Sequence, residues 1–461
     1  MNLTVADVLR TPHLDARGTA KFAGKKFTGV STDSRDVRRG ELFVALRGEN
    51  FDGNRFVARA FRRGAAAAVV DTPAGLKAAG KHPVVLVKDS AKALGAIARA
   101  YRSKFALPVV AVAGSNGKTT TKEMVAKVLG KKYSVLATEG NLNNHIGVPA
   151  TLFRLRPSHA VAVVELGANH FGEIGRLAAT ALPTHGLITN IGREHLQFFG
   201  SVSGVAKAEG ELFAHLASSG GTAFVNADDR RVASLAAKNA TTVPYGFRGR
   251  GRTVRGTRLN ISAKGLGRFT VAGRNGTRFA VRLPVPGRHT AENALAAAAV
   301  GLAFGVPPRS IAAALAAFRP VGKRMETLTV NGVTVLNDTY NANPDSMLSA
   351  IETLAQFRGR GKRIAVLGDM LELGRSARRE HALVGAAARK RGVTDLLAFG
   401  PLSKQYVKAA GAGKHYADKR RLAADLLSLA RDGDVVLVKG SRGMKMEEIV
   451  SALAGGEGKT R

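Results

Sequence analysis

Val109-Val110-Ala111-Val112-Ala113-Gly114-Ser115-Asn116-Gly117-Lys118-Thr119-Thr120 is the stretch whose reading decides the fold. An uncharged, β-branched run enters a turn of small residues, and apolar positions at Met124, Val125, Val128 and Leu129 then recur at helical spacing. The pattern predicts strand, tight loop, helix. Such a loop aims several backbone N–H groups at one anion, and the helix N-terminus adds partial positive charge. Gly114, Ser115, Asn116, Gly117, Lys118, Thr119 and Thr120 are therefore the candidate phosphate cradle, with Lys118 reaching the β- and γ-phosphates of a nucleotide and the Thr119 hydroxyl reaching Mg²⁺. The strict P-loop pattern wants glycine where Val112 stands, so the assignment rests on the strand-loop-helix context and on a lysine at a buried turn that needs an anionic partner.

Outward from this loop, 461 residues leave room for about three domains, each large enough to bury a core. A hydrophobic share of 45% and a charged share of 23% are those of a globular protein. The longest uncharged run, Asn293 to Pro308, is too short and too rich in Ala and Gly to span a bilayer, and Asp7 stands where a signal peptide needs an apolar core. The expectation is a cytoplasmic protein without membrane insertion. With no cysteine, disulfides, thiolate metal sites and cysteine nucleophiles are excluded. The net charge of +36 favours capture of anionic substrates and permits non-specific attraction to nucleic acid or anionic membrane, but Lys and Arg are spread along the whole chain.

Taken in order, Leu3 to Leu9 predicts a short helix. Gly29 to Leu46 carries the polar turn Ser31-Thr32-Asp33-Ser34-Arg35 ahead of an apolar run, and Ala66 to Val70 and Val84 to Val87 are short strands. This is a small α/β unit over residues 1–106. Its polar turn either grips a phosphate or a uracil edge, or is ordinary turn chemistry. The central unit, 107–318, adds strands at Ala160 to Val164, His185 to Asn190 and Thr222 to Asn226 with helical patterns between, which predicts a parallel sheet. Ligands collect at the carboxyl ends of such strands. Here those ends hold Lys118, Glu165 and Asn190-Ile191-Gly192-Arg193-Glu194-His195, so Lys118, Glu165 and His195 are the candidate catalytic residues.

Between Gly246 and Arg282 stand ten Lys/Arg and no Asp/Glu. An RNA-binding arm is one reading. Against it, Leu259 to Leu283 alternates apolar and polar residues around Asn275-Gly276, as a solvated β-hairpin does, and Phe247, Phe269 and Phe279 are too sparse to stack bases. No specific nucleic-acid partner is expected. The segment from His289 opens an Ala-rich helix, with Thr290 as its expected cap. The last unit, 319–461, has strands at Thr334 to Leu336, Arg363 to Leu367, Asp395 to Phe399 and Asp434 to Val438 with helices between. That predicts a Rossmann-like sheet without the dinucleotide fingerprint, followed by a disordered tail from Gly455 to Arg461.

With these residues in view the chain resembles the Mur ligase family nearly end to end. The resemblance rests on Thr32-Asp33-Ser34-Arg35 with Gly40-Glu41-Leu42-Phe43, the loop Gly114 to Thr120, Gly140-Asn141-Leu142-Asn143-Asn144 with Gly147-Val148-Pro149, and Glu165-Leu166-Gly167. Asn190-Ile191-Gly192 with His195-Leu196, Asn293, Arg324 and Asn337-Asp338 extend it. Tyr340-Asn341-Ala342-Asn343-Pro344 and Gly368-Asp369-Met370 look like the member that adds D-alanyl-D-alanine, and the Asp-Asn-Pro-Arg motif of the diaminopimelate-adding member is absent.

The resemblance implies three domains: a small N-terminal α/β domain, a central P-loop ATPase-like parallel-sheet domain and a C-terminal Rossmann-like domain. It implies ATP-driven amide formation in peptidoglycan precursor synthesis by a monomer, with ATP and Mg²⁺ required. The partners it implies are UDP-N-acetylmuramoyl-tripeptide, whose third residue is lysine or diaminopimelate, and D-alanyl-D-alanine. Thr119, Glu165 and His195 would hold Mg²⁺, Asn293 would meet the adenine, Asp338 the ribose and Arg324 the phosphates. Ser34 and Arg35 would hold the UDP end, and Asn141, Asn143 and Asn144 would line the cleft near the acceptor. The family pattern places a carbamylated lysine about fourteen residues beyond the metal-binding histidine, where this chain has Glu209; Lys207 would point about 160° away on a helix. Glu209 is thus expected to replace the carbamate at the metal. A sister ligase adding another amino acid is the near alternative. A nucleic-acid-stimulated ATPase, suggested by the basic stretch, is the distant one.

Overall fold

The computed structural model describes the chain except residues 2, 12, 20–25, 237–240, 250–251 and 456–461. The expected disordered tail and the centre of the Arg248 to Arg252 run thus fall largely outside the described residues. Among the described residues three larger sheets follow one another along the chain, beside two two-stranded ones. The first has five strands in the order His13–Arg17, Val84–Val87, Ala67–Val70, Leu42–Val44, Val30–Ser31, parallel except for the outermost pair at His13–Arg17. Ala67–Val70 is buried along its whole length, as a strand covered on both faces must be. At the amino end, Val5–Leu9 is helical, and the Thr4 and Asp7 side chains close a reciprocal capping box.

The central sheet has nine strands. In spatial order they are Val135–Ala137, Val161–Glu165, Val109–Ala113, His185–Ile188, Thr222–Asn226, Thr241–Gly246, Val254–Ile261, Leu266–Gly273 and Arg278–Pro286, the last two joined antiparallel. Val109–Ala113 lies between Val161–Glu165 and His185–Ile188, so the chain leaves it in opposite directions on its two sides. That reversal opens a crevice beyond the strand ends and is where an open α/β sheet binds ligand. Helix Lys118–Leu129 buries Met124, Val125, Val128 and Leu129 in that order of spacing. The predicted hairpin is the end of a three-stranded meander with its apolar face on the Ala-rich helix Arg288–Ala303. That helix starts at Gly287, not at a Thr290 cap: the Thr290 hydroxyl donates back to the Pro286 carbonyl at 2.8 Å.

The third sheet has six strands in the order Glu326–Val330, Val333–Asp338, Val435–Lys439, Arg363–Gly368, Asp395–Phe399, Lys414–Tyr416. The first pair is antiparallel and the rest are parallel. The outer strands Glu326–Val330 and Lys414–Tyr416 are additions to the predicted set; they are short and half-exposed, so they carry little apolar signal. Among the described residues no helix is long and apolar enough to cross a membrane.

Candidate active site

The strand Val109–Ala113 is wholly buried and delivers the chain into a loop that a side chain would block. Gly117, at φ 80°, is the N-cap of the following helix, and a Cβ there would stand 2.7 Å from Asn293 Oδ1. The loop is held from two sides. Ser115 N donates to the Asn190 carbonyl at 2.9 Å, Asn116 N donates to Asn190 Oδ1 at 3.1 Å, and Gly192 N donates to Ser115 Oγ at 2.8 Å. From behind, Gly114 N donates to Glu209 Oε2 at 2.7 Å.

Lys118 Nζ bonds the Gly114 carbonyl and lies 3.3 Å from Glu194 Oε2. Burial works against its charge, but Glu194, Glu209 and Glu165 outweigh burial and hold its pKa above the ordinary lysine value. Glu165 closes the next strand. Its Oε1 accepts from Thr119 Oγ1 at 3.1 Å and from Asn143 Nδ2 at 2.8 Å, while its Oε2 is buried without a partner, as is Glu194 Oε1. Two unpartnered carboxylate oxygens beside a threonine hydroxyl suit a hard cation that takes its remaining oxygens from phosphate and water, the usual habit of Mg²⁺. Among the described residues there is no cluster of three His, Asp or Glu side chains spaced to hold a metal alone.

The crevice is a cleft of about 830 Å³ walled by the central and third sheets. Ser115 to Thr120, Asn141, Asn143, Asn144, Glu165, His195, Asn293, Arg324 and Asp338 all line it. Ser34, Arg35, Gly114 and Glu209 do not. Ser34 is buried at its own sheet, and Arg35 forks onto Asp33 beside it. Glu209, expected at the metal directly or through one water, is on the helix Val202–Ser218, buried behind the loop, where its Oε2 accepts from Gly114 N. Burial raises its pKa to about 7 against the pull of Lys118. Lys207 Nζ instead sits over the Phe171 ring, 5.7 Å from its centroid.

From the third sheet, Asp338 is already engaged, accepting from Lys439 Nζ at 2.7 Å and from Met325 N at 3.0 Å. The Arg324 guanidinium lies on the Tyr340 ring, 3.6 Å from its centroid. His195 Nδ1 is 2.6 Å from Glu372 Oε2, across from the loop. Sequence reading left Glu194 and Glu372 without roles. Only Glu194 had a local signal, its place beside His195 at a strand end.

A set of contacts closes the third sheet onto the loop. Arg193 N donates to Asp345 Oδ2 at 2.6 Å, its guanidinium bonds Asp345 Oδ1, and its Nη1 reaches Glu380 Oε2 at 2.8 Å. Asn343 Nδ2 donates to Asn116 Oδ1 at 2.9 Å. Gly192 admits this approach, since a Cβ there would lie 2.6 Å from Asp345 Oδ2.

Three family models match in succession: the Mur ligase family catalytic domain over residues 26–102, the Mur ligase middle domain over 112–301 and the Mur ligase glutamate ligase domain over 323–442. The chain belongs to the Mur ligase family. It is 40% identical over 440 residues to the UDP-N-acetylmuramoyl-tripeptide–D-alanyl-D-alanine ligase of Escherichia coli, covering 95% of this chain and 96% of that one. The Bacillus subtilis enzyme of the same name is 38% identical, covering 92% and 93%. Among solved structures, MurF from Acinetobacter baumannii superposes with a TM-score of 0.91 at 32% identity, covering 99% of both chains. A MurF ligase from Thermotoga maritima in complex with ADP superposes at 0.82 with 28% identity, covering 93% of this chain and 97% of that one.

Proposed function

We propose that this Mur ligase joins D-alanyl-D-alanine to UDP-N-acetylmuramoyl-tripeptide at the expense of ATP, in the cytoplasm and as a monomer. The observation that carries the reading is one cleft walled by a phosphate-type loop on one side and, on the other, by the third-sheet segment Tyr340 to Pro344, within a chain that matches ligases of this name almost end to end. A carboxylate is a poor acyl donor. The acceptor carboxylate attacks the γ-phosphorus of ATP, ADP leaves, and an acyl phosphate forms. The neutral amine of D-alanyl-D-alanine then attacks the acyl carbon, phosphate leaves with the bonding pair, and the amine proton passes to solvent or phosphate.

No protein nucleophile is needed, so the chain's work is positioning and charge balance. Lys118 leaves Glu194 for the β- and γ-phosphates, and the loop N–H groups take the remaining phosphate oxygens. Thr119 and Glu165, with Glu194 beside them and His195 across the cleft, are the residues that would hold Mg²⁺, which supplies neutralisation of the phosphate charge. Glu209 fixes the loop by its bond to Gly114. Asn293 borders the adenine, Asp338 the ribose, Arg324 the phosphates, and Asn141, Asn143 and Asn144 the acceptor. The Ser34 and Arg35 turn takes the UDP end. The domains carrying these parts are 1–106, 107–318 and 319–461.

A product assay tests the reading, using lysine- and diaminopimelate-containing acceptors with several amino donors. ADP and phosphate release that requires both an acceptor and D-alanyl-D-alanine supports it. Pyrophosphate release, or a preference for another amino donor, refutes it.

A further inference from the structure

The outer face of the three-stranded meander that ends the central sheet is a second feature with chemistry of its own. Register aligns its outward side chains in rows across Val254–Ile261, Leu266–Gly273 and Arg278–Pro286: Arg255, Ala272 and Arg278 in one, Thr257, Thr270 and Ala280 in the next, Asn260, Arg268 and Arg282 in the third. The arginines are exposed. Arg268 and Arg282 are directly opposite across adjacent strands, where like charges repel. Among the described residues none of Arg255, Arg268, Arg278 and Arg282 has a carboxylate partner. The local sequence offers none, since Gly246 to Arg282 holds no Asp or Glu. Arg258, exposed at the bulge between these rows, holds a left-handed φ of 53°, which a non-glycine residue adopts at a cost.

Protection of a sheet edge accounts for charges on the outermost strand, Arg278–Pro286. It does not account for Arg268, which is on the strand between the other two. Uncompensated charge inside a sheet face, with strain beside it, fits a face whose counterions come from a partner.

We propose that this face docks on the surface of an anionic phospholipid bilayer. The partner it fits presents many phosphates without register: the exposed arginines are spread over three adjacent strands, and the positions between them are Thr, Ala and Asn, short enough to let headgroups approach. Phe269 is buried and Phe279 packs inward against the core, so the face offers no aromatic platform for bases and no apolar wedge for the bilayer interior. Attachment is therefore peripheral, electrostatic and salt-labile.

The test uses the full chain and vesicles of equal parts phosphatidylglycerol and phosphatidylcholine, with pure phosphatidylcholine as the neutral control. Because the whole protein is basic, the comparison that matters is between two triple variants removing the same charge. R268Q/R278Q/R282Q removes three of the face's arginines, leaving Arg255 and Arg258, and R389Q/K390Q/R391Q removes an exposed group at the far end of the helix Ala377–Lys390. The face variant is expected to sediment with anionic vesicles on the order of a hundredfold more weakly than the parent. The other variant should bind within about threefold, and ligation in solution should be unchanged in both. The face variant should also melt no lower than the parent, because it relieves the Arg268–Arg282 repulsion. Equal loss in the two triples would overturn the proposal in favour of delocalised charge. Loss of duplex DNA binding without loss of vesicle binding would overturn it in favour of nucleic acid, and a lower melting temperature in the face variant would show these arginines to be structural.

Discussion

Arg193→Ala separates the closing of the cleft from the folding of its walls. The side chain is 22% exposed and forks between Asp345, itself 35% exposed, and Glu380, which is 1% exposed. Burial disfavours its charge, but the two carboxylates more than compensate and raise its pKa. Removing one partner of a fully buried pair costs about 3–5 kcal/mol. The loss here is smaller for two reasons. Asp345 keeps the Arg193 backbone N–H, and Glu380 keeps Arg379 at 2.7 Å, so about 2 kcal/mol is the expected scale. Both carboxylates are on helices packed against the third sheet, while Arg193 follows a strand of the central one. The loss therefore falls on their docking, and about 2 kcal/mol is roughly a thirtyfold shift in that equilibrium. The expected result is a kcat/KM about thirtyfold lower, a larger radius of gyration in X-ray scattering with nucleotide present, and a melting temperature nearly unchanged. Arg193→Lys should recover little, because an ammonium cannot fork to both carboxylates. Turnover within twofold of the parent, or a collapse in melting temperature at unaltered radius of gyration, would refute the reasoning.

Lys118→Ala should lower ligation about a thousandfold, the scale of removing a main phosphate-charge stabiliser, and a steady-state assay showing near-normal turnover would remove the loop from the mechanism. Glu209→Gln should retain activity within about tenfold, since an amide oxygen still accepts from Gly114 N, whereas Glu209→Leu leaves that buried N–H unsatisfied and should lose far more. Lys207→Gln and bicarbonate depletion should both leave turnover unchanged; bicarbonate rescue of activity would mean a carbamate is at work. Burial depresses the pKa of His185, His289 and His381 below the ordinary 6.5, so the unfolded chain binds more protons than the folded one as pH falls below 6.5. Stability to urea should accordingly drop on acidification from pH 6.5 toward 5, and His381→Gln should flatten that slope by about one proton.

The phosphate-type loop was legible because its determinants are local: a buried apolar strand, glycines at the turn and a helical period after it fall within some twenty consecutive residues. The three α/β units were legible for the same reason, since each central strand is a short apolar run; Glu165 followed from its place at a strand end, and the cleft-lining asparagines from the resemblance to the family. What the chain order could not show is which strand ends meet and which way a side chain faces once they do. Arg193 finds Asp345 at a separation of 152 residues and Glu380 at 187, and Asn116 finds Asn343 at 227. These partners are ordinary polar residues in their own surroundings and acquire a role only when two sheets are packed together. Glu209 was expected at this site, but helical spacing gives its direction on the helix and not what stands in front of it. There the loop backbone intervenes, and the nearest unsatisfied donor, Gly114 N–H, takes the carboxylate. Local sequence thus fixed the parts, and long-range packing decided their partners, because the energy of a buried charge depends on what surrounds it in space.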